Sequence, residues 1–196
     1  MNAKRTLALG GIVGPAGFIA AWSILGARKP GYNPIEDHIS RLAAQGVAER
    51  PGMTAGFVAF GLGVPLYALA LRHSPTGKAW MAAAATGIAT LGVAAFPLDG
   101  PAGDGAHALA AGVGYATLAA TPLLAARPLA RAGLKKASAL SWGAGIMSAA
   151  CLVGTTVGPA TGLLQRAGLG IGDAWIVASA VALIRRGGEW GSGPGG

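Results

Sequence analysis

The amino-acid sequence predicts an all-α membrane protein: a six-transmembrane-helix bundle with a short interfacial helix in the first outer loop and both termini cytoplasmic. Three observations predict it. The chain is 53% hydrophobic and only 11% charged, with a mean hydropathy of +0.53. Its apolar residues fall into six windows of about 20, the length that a helix rising 1.5 Å per residue needs to cross a hydrocarbon core of about 30 Å. Its 34 glycines among 196 residues lie among Leu, Val, Ile and Ala, and small residues let helices approach closely in lipid.

The first span covers 7–27. It follows Lys4 and Arg5, as a signal peptide would, but its apolar stretch of about 21 residues exceeds the usual signal core of about 7–15, so it is read as a retained helix. The first outer loop carries "YNPIEDHISRLAAQG" (32–46). Asn33 suits a helix cap, Pro34 the first helical position and Glu36 a capping-box acid, and Gly46 suits a left-handed stop. A helix over 34–45 would share Ile35, Ile39 and Leu42 on one face and pair Asp37 with Arg41 on the other. Lying flat at the interface, it would cover whatever the bundle holds beneath it.

The remaining spans are 52–72, 79–97, 106–126, 138–158 and 163–184. Pro15, Pro65 and Pro122 fall inside spans, where neighbouring helices satisfy the freed carbonyls. Gly10/Gly14, Gly52/Gly56, Gly154/Gly158 and Gly168/Gly172 have the small-xxx-small spacing of helix contacts. One membrane domain therefore occupies 1–186, and the Gly-rich tail 187–196, with nothing to bury, is expected to be disordered.

Charge supplies the orientation. Ten of the 15 Lys and Arg residues lie in the termini and the loops after spans two and four, and five lie in the alternate loops. The positive-inside rule then puts both termini in the cytoplasm. Glu36, Asp37, Glu49, Asp99, Asp104 and Asp173 fall on the outer side or at its edge, and Glu189 alone is inside. The pI near 10.4 is thus explained by topology, and no basic cluster with interleaved aromatics calls for nucleic acid. Cys151, the single cysteine, excludes an intramolecular disulfide and a thiolate metal cluster and reads as a small buried hydrophobe.

Polar residues gather at the outer face. The third outer turn reads "FPLDGPAGDGAH" (96–107), with Asp99, His107, and Asp104 as a helix cap. The last span opens "GLLQRAGLGIGDAW" (162–175). Were the membrane to begin after Asp173, only about 11 apolar residues would remain, too few to cross, so Asp173 belongs inside the span. Arg166 and Asp173 are seven apart, on one helix face and about 10 Å apart in rise. Ionisable groups at such depth face a partner or a cavity. Asp99, His107 and Arg166 are expected to converge. His73, on the inner side, is assigned no role.

"YNPIEDHISRLAA", "FPLD" with a following His, and "GLLQR" with Trp175 downstream resemble the six-helix prokaryotic integral membrane family catalogued as domain of unknown function 998, over about residues 7–186. The resemblance implies six membrane helices, the plasma (inner) membrane of a prokaryote, and Asn33, Pro34, Ser40, Asp99, His107, Gly162 and Arg166 as motif positions. Glu36, Asp37 and Arg41 are less clearly part of the pattern. The family supplies no activity.

The ligand-binding candidates are Asn33, His38, Ser40, Arg41, Asp99, His107, Gln165, Arg166 and Asp173. As a binding protein the chain would hold a lipid headgroup or small polar ligand, with Arg166 and Arg41 gripping phosphate or carboxylate. As a membrane-embedded hydrolase, with Ser40, Asp99 and His107 as catalytic candidates, it would be loosely similar to zinc lipid amidases such as the alkaline ceramidases. Zinc wants about three protein ligands and an open water position, and His38, Asp99 and His107 are the candidates, although the HxxxH pair of such enzymes is missing. A small-solute carrier ranks third, since no inverted repeat with broken helices is evident. No cofactor is required, zinc entering only with the hydrolase. The expected partners are membrane lipids and a small polar ligand; the oligomeric state is left open.

Overall fold

The computed structural model describes residues 3–186; the tail 187–196, expected to be disordered, lies outside them. The described residues form six α-helices and no strands: α1 (Ala3–Arg28), α2 (Arg50–Leu71), α3 (Ala79–Ala95), α4 (Gly103–Arg131), α5 (Lys135–Gly154) and α6 (Thr161–Arg185). Five are long and apolar enough to cross a membrane, and α3 is shorter at 17 residues. At 1.5 Å per residue α3 spans about 25 Å, the lower limit for crossing. Each helix packs on the next, and α1 packs on α6, which closes the ring. Val13, Ile88, Leu109, Leu140 and Val153 point outward and are exposed, as lipid-facing side chains must be when no water drives them inside.

Glycine sets the closest contact. A Cβ on Gly10 would sit 2.2 Å from the Gly63 carbonyl oxygen, so the α1 and α2 backbones touch with no side chain between them. Gly14, Gly52, Gly56, Gly154, Gly168 and Gly172 also lie against a neighbouring helix. Gly158 does not. It adopts φ +82° in the turn after α5, which ends at Gly154 rather than at 158. In the other direction, α4 runs past 126 through Arg127 and Pro128 to Arg131, since a helix need not stop where the hydrocarbon does. Pro15, Pro65 and Pro122 lie inside helices as expected.

The loops separate into two ends. At one, the Gln45 N–H donates to the Leu98 carbonyl and the Leu163 N–H to the Ile35 carbonyl, which joins the first loop to the third and to the start of α6. At the other, Gly77 lies against Pro128. The first end is called the site face below.

The 34–45 helix is not formed. Asn33 Oδ1 accepts the Ile35 N–H at 3.0 Å, Asp37 Oδ2 accepts the Asn33 N–H at 2.8 Å, and a short 3-10 helix follows over Ile39–Ala43. The reason is tertiary: the carbonyls of Pro34, Ile35 and Asp37 turn to α6 and are not free for an α-helical ladder. Ile35 is accordingly exposed, whereas Ile39 and Leu42 are buried. Asp37 serves the turn, and Arg41 faces Asp99 instead. Gly46 does adopt the left-handed conformation, at φ +81°. Asp104 is not the cap of α4; its carboxylate accepts the Asp99 N–H at 2.9 Å and steadies Asp99, whose φ of +57° is the one positive value among the described non-glycine residues.

Candidate functional site

The site is built by laying the first loop on the start of α6. A Cβ on Gly162 would meet the Asp37 oxygen at 2.4 Å and the Pro34 oxygen at 2.8 Å, so only glycine lets the two backbones meet there. One turn on, Arg166 Nη1 donates to the carbonyls of Pro34 at 2.8 Å, Asp37 at 2.9 Å and Gly162 at 2.9 Å, while Nη2 donates to the Tyr32 hydroxyl. Its guanidinium lies 5.3 Å from the Trp22 ring centroid and 5.5 Å from that of Tyr32. Planar, multiply donating and stackable, arginine suits this role where lysine would not. Gln165 adds a buried link, its Oε1 accepting the Ile39 N–H at 2.7 Å and its Nε2 donating to the Tyr115 hydroxyl. At the rim, Lys29 pairs with Glu49 at 2.8 Å and joins the two ends of the loop.

Beneath the loop, Ser40 and His107 are both buried and linked, His107 Nε2 lying 2.9 Å from Ser40 Oγ. His107 Nδ1 lies 2.8 Å from the Phe96 carbonyl oxygen. A carbonyl only accepts, so Nδ1 carries the proton and Nε2 is the bare nitrogen that accepts the serine hydroxyl. A hydroxyl, an imidazole and a carbonyl that orients the ring thus form one hydrogen-bonded chain. His38, next along the loop, is half-buried, and its Nε2 has no partner. Burial, with Arg41 and Arg166 nearby, holds its pKa below the ordinary 6.5.

Further in lies a cavity of about 50 Å³ lined by Ser40, Gln165, Tyr115 and Asp173, with Thr86 and Thr90 beside them and apolar side chains completing the wall. The threonine hydroxyls are satisfied by their own helices, Thr86 donating to Ala82 and Thr90 to Thr86. Asp173 is not satisfied. It is 1% exposed, and neither carboxyl oxygen has a hydrogen-bond partner.

The sequence candidates, His38 apart, therefore divide into three groups. Ser40, Gln165 and Asp173 line the cavity, with His107 behind Ser40. Asn33 and Arg166 shape and clamp the loop. Arg41 and Asp99 form an outer pair at 3.7 Å, both more than half exposed. Asp99, His107 and Arg166, expected to converge, all engage the first loop at different points, Arg166 holding residues 32–37, His107 holding Ser40, and Asp99 facing Arg41. The two arginines proposed as an anion grip are occupied by loop carbonyls and by Asp99. The zinc candidates His38, Asp99 and His107 do not form a cluster, and among the described residues no three His, Cys, Asp or Glu side chains do. Cys151 is a half-buried free thiol on α5. Sequence reasoning missed Trp22, Tyr32 and Tyr115. Tyr115, a polar aromatic inside an otherwise apolar span, was the visible signal for the last.

Residues 12–182 match the family described as Protein of unknown function (DUF998). No curated protein and no solved structure matches the chain.

Proposed function

The chain belongs to the DUF998 family, described as of unknown function, and from that premise we propose that it binds a small polar group in the cavity beneath its first loop. The observation that carries this reading is Asp173, buried, without a partner and facing a cavity. A polar group buried without compensation costs about 2–7 kcal/mol, and a bound group that pairs with the carboxyl removes that cost. In this reading the site face is the outer face of a prokaryotic plasma membrane, because the opposite end carries most of the Lys and Arg. A lipid headgroup or a small solute then enters from outside. Native mass spectrometry of protein released from detergent tests the proposal. Retained lipid or solute should be lost on Asp173→Leu, and equal retention by both proteins would refute it.

A second reading, a hydrolase, is favoured by Ser40 and His107. Ser40 Oγ would attack an ester or amide carbonyl and pass its proton to His107 Nε2, which hands it to the departing alcohol or amine. Water then releases the acyl group from Ser40 by the same relay. No metal enters this version, since both His107 ring nitrogens are already engaged. A fluorophosphonate probe should label Ser40 in the native protein and fail to label His107→Gln. Failure to label the folded native protein would exclude it.

A further inference from the structure

We infer that the group taken by this cavity is an organic ammonium, either a protonated amine or a methylated one. The inference rests on the binding reading above and names its ligand class. Three observations about the lining carry it. The first is charge: the lining contains one carboxyl, Asp173, and no Lys, Arg or His. The basic side chains around it are engaged elsewhere: His107, behind Ser40, by Ser40 and the Phe96 carbonyl, Arg166 by the Pro34, Asp37 and Gly162 carbonyls and Arg41 by Asp99 at the exposed rim. An anionic headgroup entering here would meet a carboxyl and no counter-charge.

The second is the aromatic wall. Phe18, Phe57, Phe60 and Tyr115 all line the cavity. Phe18 and Phe57 stack with centroids 5.7 Å apart, and Phe60 meets Phe18 edge-on at 5.6 Å. Ring faces attract a desolvated cation, most of all one whose methyl groups need no hydrogen-bond acceptors. The third is the shortage of open acceptors for anything more polar, the Tyr115 hydroxyl, which accepts from Gln165, having only its hydrogen left to give. Gln165 is used on both sides by Ile39 and Tyr115, and Thr86 and Thr90 are used by their own helices. Asp173 alone has its full acceptor capacity open. A cavity of about 50 Å³ holds a few water-sized groups, which suits a compact ammonium head and not a sugar or a nucleotide.

The ammonium has two sources, a free solute such as choline and a phospholipid headgroup, and the test separates the two. The protein is placed in phosphatidylglycerol nanodiscs, and its melting temperature is followed as choline or its uncharged carbon isostere, dimethylbutanol, is added. Choline should raise Tm by a few degrees and saturate. The isostere should not, and Asp173→Asn, which keeps the shape but not the charge, should abolish the response. If choline has no effect but nanodiscs containing phosphatidylcholine or phosphatidylethanolamine raise Tm in an Asp173-dependent way, the ammonium is a lipid headgroup. Equal responses to choline and the isostere overturn the inference, as does a full choline response in Asp173→Asn. An Asp173-dependent response to a neutral polar lipid, with none to either ammonium source, overturns the cation and leaves the binding reading standing. No response to any headgroup or solute overturns both.

Discussion

At the scale of single residues, the loop is held by groups whose charge state matters. His38 is half-buried beside Arg41 and Arg166, and its pKa is lowered by burial first and by those cations second. The folded chain therefore binds this proton less readily than the unfolded chain does, and stability rises with pH wherever the unfolded state holds more protons. The His38 contribution is complete above pH 6.5 and is lost as pH falls from there toward the lowered value. Melting curves between neutral and mildly acidic pH should show His38→Gln losing less stability than the native protein; parallel losses would mean that the His38 pKa is not lowered. Asp173 was the most legible of the site residues, because span length alone forced it inside the bundle. Arg166 was placed correctly but misread. Its partners are backbone carbonyls, which every residue possesses, and a search among acidic side chains cannot find them.

At the scale of elements, the six helices were legible because a bilayer crossing demands a continuous apolar run, visible without knowing what the run touches. The 34–45 segment was not. Asn33, Pro34 and Glu36 satisfy every local rule for a helix start, yet contacts to α6 override those rules and leave a turn and a 3-10 helix. Gly162 is where that override happens. Gly162→Ala pushes a Cβ to within 2.4 Å of the Asp37 oxygen, and backbone cannot swing aside as a side chain can. Overpacking of this kind costs about 1–3 kcal/mol. Gly170→Ala, on the same helix with nothing near its Cβ, should be neutral or mildly stabilising, since alanine favours helix over glycine by about 1 kcal/mol. Thermal unfolding of the two variants side by side checks this, and the loop contact is refuted if Gly162→Ala melts no lower than Gly170→Ala.

At the scale of the whole molecule, the basic end and the site end are the two sides of one ring, and their assignment is open to a direct measurement. A phosphatase reporter that is active only outside the cell, fused after Arg186, should be inactive, and the same reporter placed between α3 and α4 should be active. The reverse pattern would invert the proposed orientation. The ring itself was foreseeable from six spans, but not which helices would meet across it, since α1 and α6 are neighbours in space and opposites in the chain. That closure affects timing as well as shape. The first loop leaves the ribosome early, but the Arg166 that grips its carbonyls comes 132 positions after Pro34. Until the last helix is made, the loop has nothing to fasten it and the cavity has no Asp173. A chain whose synthesis is interrupted before α6 lacks Gln165, Leu169 and Asp173, so the wall of the cavity is completed by the last helix to be made.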